Sequence, residues 1–257
     1  MDRDTIRARS AELTGKLSRP DEFVEGLHLL LEANVDKKTF ATHKRVIPEM
    51  GRSFGVSLPV LRIIAAEIAK YGKKDPHSVL SILKTLWANG SFEERQIVGK
   101  VMERLAKKCP AECLELVPAF LPTIDNWANC DNLACFGMEA IALQRTDEAL
   151  SLCEEWVRDE DKWIRRFGVV TLRAFAKAPA PEKVFEILDQ VMRDGDRDVK
   201  KGVAWILRDL SKLHSGRVFE FLLRWAAADP SRDTVWMIKN GMKKLTASQQ
   251  QQIIKLE

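Results

Sequence analysis

Apolar residues recur every three or four positions through almost every window of the chain, the period of a helix with one buried face. The alternation of Val, Ile and Thr that marks a half-buried strand is nearly absent, and only one Tyr occurs. Prolines fall where apolar stripes begin or stop. The pattern predicts helices over residues 1–18, Pro20–Ala33, Pro59–Lys70, Pro76–Asn89, Phe92–Lys107, Pro110–Leu121 and from Trp127 to about Leu143. Further helices are expected over Thr146–Asp159, Lys162–Lys177, Glu182–Arg193, Val199–Leu213, Ser215–Ala228 and Thr234–Leu245, before a short tail. Lys44 to Pro59 reads as a structured turn, because Pro48, Gly51, Gly55 and Pro59 punctuate it.

The second half repeats. Asp161 to Arg173 aligns without gaps on Asp196 to Arg208, an offset of 35 residues, and a weaker copy runs from Asp233 to Leu245. A period of this size with two helices per unit predicts an all-α fold, an α-solenoid of HEAT-like or armadillo-like repeats forming one domain over 1–257. A compact helical bundle is the alternative; matched basic positions favour stacking. Arg166 and Arg173 share a helix face, and the equivalent positions are Lys201 and Arg208, with Trp205 between them at helical spacing. Arg165 and Lys200 flank the row, and Lys239, Lys243 and Lys244 form a further cluster. Stacking would gather these into a concave basic groove of the kind that tracks a phosphate backbone.

Net charge changes this picture little: +4, with a pI near 8.8, permits nucleic-acid binding without requiring it. No apolar run is long enough to span a bilayer, and Met1 to Arg9 has no secretory core, so a cytoplasmic protein with its five cysteines reduced is expected. There is no phosphate-binding glycine loop and no His/Cys cluster at ligand spacing, so neither metal nor cofactor is expected.

The candidate chemistry lies at mid-chain. Trp127 and Asp131 are four residues apart at the start of an apolar-periodic segment and so share one helix face. Each residue also has a plainer reading. Trp127 and Trp205 are core indoles on that reading, Asp131 is a solvated or capping acid, and one of Arg165 and Arg166 pairs with an acid of the preceding repeat. Cys130, with no positioned His, reads as a packing residue.

Taken in order, Gly55 to Arg62, Asn126 to Asp131, Trp163 to Arg166, Val203 to Arg208 and Asn240 to Leu245 resemble the AlkD-like DNA alkylation repair glycosylases, over about Ala41 to Leu245. The resemblance implies a catalytic role for Asp131 and Trp127, for Arg166 from the Trp-x-Arg-Arg helix, and for Trp205 as the second active-site tryptophan. Where the best-known members carry a second Trp and an additional Asp, this chain has Asn126 and Ala128-Asn129-Cys130.

The implied reaction is monofunctional hydrolysis of the N-glycosidic bond of purines alkylated at N3 or N7 in double-stranded DNA, carried out by a monomer. Asp131 would stabilise the sugar cation and orient water, Trp127 and Trp205 would face the cationic sugar and base, and Arg166 would hold a phosphate. The rival is a non-catalytic HEAT-like module binding DNA or protein. In that case Trp127, Trp163 and Trp205 are core and Asp131 belongs to a ladder between repeats.

Overall fold

The computed structural model describes residues 1–177 and 181–256. Among them every regular element is helical, with one isolated bridge between Val35 and Val56. Among the described residues no helix is long and apolar enough to cross a membrane. The chain forms two compact units, Met1–Gln144 and Arg145–Glu257.

The first unit contains α1 (Arg3–Thr14), α2 (Pro20–Glu32), α3 (Lys37–Val46), α4 (Leu58–Gly72), α5 (Pro76–Asn89), α6 (Phe92–Leu105), α7 (Pro110–Leu114), α8 (Val117–Phe120), α9 (Trp127–Asn132) and α10 (Glu139–Gln144). Phe23, Leu27, Leu31, Ile64 and Ile68 build its core. At its centre is α6, which packs on α4, α5 and α9 and is buried without a break from Phe92 to Met102. A capping box starts it: the Ser91 hydroxyl accepts from the Glu94 N–H, and the Glu94 carboxylate accepts from the Ser91 N–H.

Three segments differ from the expectation. α3 lies partly within the stretch read as a turn; it buries none of its residues, so it offers no apolar stripe to detect. The predicted 110–121 helix divides into α7, α8 and a 3-10 turn at Leu121–Thr123, because Pro118 and Pro122 lack the N–H that would continue the ladder. The predicted 127–143 helix is interrupted by a π-turn at Leu133–Gly137, where the Met138 N–H reaches back to the Leu133 carbonyl at 3.1 Å.

The second unit contains α11 (Thr146–Trp156), α12 (Lys162–Thr171), α13 (Glu182–Asp189), α14 (Arg197–Ala228), α15 (Arg232–Gly241) and α16 (Ala247–Ile254). The repeat is visible in the helix starts, since α12, α14 and α15 have N-cap residues Asp161, Asp196 and Ser231, each 35 after the last. The third copy thus begins two residues before the expected Asp233. α14 bends at His214, whose φ of −126° and ψ of 41° leave the helical region, as the predicted break between Leu213 and Ser215 requires.

Cross-braces join neighbouring repeats of this unit. Arg173 pairs with Asp209 at 3.1 Å, Arg193 with Asp229 at 3.0 Å and Arg224 with Asp189 at 2.7 Å, partners 35 or 36 residues apart. The Asp229 carboxyl is held down at about 2, first by the Ser231 N–H, then by the Thr234 hydroxyl and the Arg193 guanidinium.

Candidate active site

The short helix α9 is held by one side and presents the other. Asn126, Asn129 and Asn132 recur every third residue, on the opposite side of the axis from Trp127 and Asp131. Asn126 is the N-cap, accepting from the N–H groups of Ala128 (3.1 Å) and Asn129 (3.0 Å). Gln96 of α6 donates to the Ala128 carbonyl (3.1 Å) and to Asn129 Oδ1 (3.0 Å). Asn132 donates to the carbonyls of Arg95 (3.3 Å) and Gln96 (3.2 Å). Arg95 secures the approach to the helix, donating to the Thr123 carbonyl at 2.8 Å and pairing with Asp125 at 3.1 Å.

The clamp closes because position 99 has no side chain. A Cβ on Gly99 would overlap the Asn132 amide and lie 3.1 Å from the Asn132 carbonyl oxygen. Gly99→Ala is therefore expected to expel the Asn132 side chain from its two hydrogen bonds and lower stability by about 1–3 kcal/mol. Urea denaturation checks this; an unchanged midpoint would mean that the clamp yields freely.

On the open side, Trp127 and Asp131 are both half-buried. Trp127 and Ala128 rest on a cluster of Ile47, Met50 and Phe92, so the indole has apolar backing. The segment after Met50 is anchored in turn by Glu93. This fully buried carboxylate accepts from the N–H groups of Phe54 (3.0 Å), Gly55 (2.8 Å) and Val56 (3.0 Å) and from the Ser53 hydroxyl (2.9 Å). Three successive N–H groups converge on one anion because Gly55 has φ of +80°, and a Cβ there would also strike Phe40. Cys130, beside Asp131, is fully buried, as a packing residue would be. All five cysteines are buried, and burial raises the Cys109, Cys113 and Cys153 thiols above their ordinary range.

The second unit holds the remaining candidates. Arg166 is buried and donates to the Asp198 carbonyl in the first turn of α14, lying against Gly202. Trp205, one turn beyond Gly202, is half-buried, whereas Trp163 belongs to the core.

The expected basic row is divided. Arg165 pairs with Asp194 at 2.7 Å, an acid of the following repeat rather than the preceding one. Arg173 pairs with Asp209, Lys200 pairs with Asp233, and Arg208 donates to the Asn240 carbonyl at 3.0 Å. Lys201, Lys239, Lys243 and Lys244 are exposed, with Lys243 donating to Asn240 Oδ1 at 2.7 Å.

Sequence comparison decides what kind of enzyme this geometry belongs to. The profile of the family described as DNA alkylation repair enzyme matches residues 27–245, most of the chain. The chain belongs to the DNA alkylation repair enzyme family. No curated protein matches it significantly in sequence.

Solved structures share the fold of this family member. One is described as a predicted DNA alkylation repair enzyme from Enterococcus faecalis, with a TM-score of 0.71, 14% identity and coverage of 83% of this chain and 98% of that one. AlkD2 from Streptococcus mutans matches with a TM-score of 0.60 and 18% identity over 82% and 99% of the two chains. The alkylpurine DNA glycosylase AlkC of Pseudomonas fluorescens, bound to DNA containing an abasic site analogue, matches with a TM-score of 0.54 and 15% identity over 99% and 67%. At these identities the likeness is one of helical-repeat fold. Membership in the DNA alkylation repair enzyme family supports an enzyme that acts on alkylated DNA.

Sequence reasoning missed the asparagine clamp and the Glu93 anchor. The triplet of asparagines was a readable signal, but its partners lie on α6, more than thirty residues upstream.

Proposed function

We propose that the chain is a monofunctional DNA glycosylase that hydrolyses the N-glycosidic bond of N3- or N7-alkylated purines in duplex DNA, acting as a monomer. The observation that carries this reading is the placement of Trp127 and Asp131, both half-buried, on the side of α9 opposite the asparagine clamp. An alkylated purine already carries positive charge. As its bond to the sugar breaks, the electron pair goes to the base nitrogen and cancels that charge, so no strong general acid is required. Positive charge then develops on the sugar, where the Asp131 carboxylate stabilises it and takes a proton from the attacking water. The Trp127 face, backed by Ile47, Met50 and Phe92, offers its π density to the same cation.

The second unit contributes DNA contact through Lys201 and the Lys239, Lys243 and Lys244 group, and Trp205 offers an aromatic face to the nucleic acid. Arg166 acts through α14, whose first turn it fastens. Lys201→Ala is expected to weaken duplex binding and reduce the salt slope by about 0.9, the loss of one phosphate contact. Arg166→Ala should instead lower the melting temperature, because the Asp198 carbonyl loses the side-chain donor that ties it to α12. Anisotropy titrations across salt, paired with thermal melts, separate the two; an unchanged slope for Lys201→Ala removes that contact.

The deciding experiment is release of 7-methylguanine or 3-methyladenine from methylated duplex, followed by chromatography. Release with an intact abasic strand is expected. Absence of both bases would end this reading, and a borohydride-trapped adduct would end its monofunctional part.

A further inference from the structure

A small pocket of about 230 Å³ opens between α4, α6 and the π-turn that follows α9. Arg62, Ala65, Lys100, Glu103, Arg104 and Phe136 line it, so three cations share it with one carboxylate. Arg62 and Arg104 are exposed, while Lys100 is only 8% exposed. The Lys100 ammonium sits over the Phe136 ring, and its carboxylate partner Glu103 is 3.5 Å away, long for an ion pair. Burial holds the Lys100 pKa below its ordinary value. Glu103 opposes that shift, and the nearby positive charge of Arg62 adds to it. The pocket is thus under-neutralised, with one ammonium on a largely buried stem and two guanidinium forks around it.

We propose that Arg62, Lys100 and Arg104 form a subsite that seats one backbone phosphate of the DNA. The proposal rests on the reading of the chain as a DNA-acting enzyme and extends it to residues outside the Trp127 and Asp131 pair. Size favours a phosphodiester over a larger ligand, because the pocket is smaller than the roughly 300–1,000 Å³ of ordinary small-molecule sites. Chemistry favours it too, since guanidinium forks match phosphate oxygens bidentately and a buried ammonium supplies a point charge. Phe136 lies in the π-turn five residues after Asp131, roughly 7–8 Å further along the chain's helical path. The seated phosphate is placed by this reading within a nucleotide or so of the reacting sugar.

The test uses full-length protein and a set of duplexes in which each phosphate around a central abasic-site analogue is replaced, one at a time, by a neutral methylphosphonate. With wild-type protein, one linkage is expected to weaken binding about tenfold. Arg62→Ala/Arg104→Ala, made at exposed positions, should bind the unmodified duplex about tenfold more weakly, with a salt slope reduced by about 0.9, and should lose nothing further at that linkage. Lys100→Met, which keeps the apolar stem, should do the same if it folds; the arginine pair decides the matter if it does not. Several results would each overturn the proposal. They are undiminished affinity of the arginine pair, penalties that simply add at every linkage, and inorganic phosphate protecting the wild type against heat while no DNA linkage is sensitive. A wild-type protein that binds the duplex set through this linkage yet releases no alkylated base leaves the subsite standing and removes only the glycosylase reading.

Discussion

Asp131→Asn is expected to lower the rate of alkylpurine release by about 10²–10⁴-fold while leaving affinity for an abasic-analogue duplex within about twofold. The amide has nearly the same shape as the carboxylate, so it keeps the contour of α9. It carries no charge to meet the developing sugar cation, and it cannot accept a proton from water. The fold is insulated from the change because α9 is fixed from its other side by Asn126, Asn129 and Asn132. Single-turnover base release and fluorescence anisotropy on the same preparation read the two quantities. A variant rate within tenfold of wild type would return Asp131 to the surface of its helix.

Glu93→Ala is expected to cost about 3–5 kcal/mol of stability, the largest effect of any single change outside the chemistry. The substitution strands the N–H groups of Phe54, Gly55 and Val56 and the Ser53 hydroxyl, which share one buried carboxylate. Gly55 and Val56 are themselves buried, so water cannot replace the lost acceptor without the turn opening. Glu93 also occupies the first turn of α6, where the helix dipole favours an anion. Glu93→Gln should cost less, about 1–3 kcal/mol, because one acceptor oxygen remains while the amide donors meet backbone N–H groups. Urea unfolding followed by circular dichroism measures both. A Glu93→Ala midpoint equal to wild type would show that the turn is held by other means.

These two residues show where reading the chain works and where it stops. Helical period depends on a residue's own neighbours, so α11 to α15, the break at His214 and the recurrence of Asp161 and Asp196 as helix starts were legible, whereas α16 was read only as a tail and the 3-10 turn at Leu172–Phe175 was read as continuous helix. The resemblance carried by Asn126 to Asp131 and the later motifs reached the family that the profile match identifies. α3 escaped because a helix that buries nothing writes no apolar stripe. Glu93 escaped for a related reason. A Glu in the first turn of a helix looks like an ordinary solvated acid until a turn forty residues upstream folds over it. The basic row was legible as positions but not as free charge. The acids that neutralise Arg165, Arg173 and Lys200 lie in the following repeat, and spacing alone cannot tell a cation aimed at a phosphate from one that braces its neighbour.

The braces of the second unit also govern how damage spreads. Each of Arg173, Arg193 and Arg224 ties a repeat only to the next one along, so a defect in one repeat is felt by its immediate neighbours and little further. α16 packs on α14, buries Ile253 and starts with its own capping box from Thr246 to Gln249. The helix shields that part of α14, and a chain cut after Leu245 would fray inward from the uncovered face, one repeat at a time.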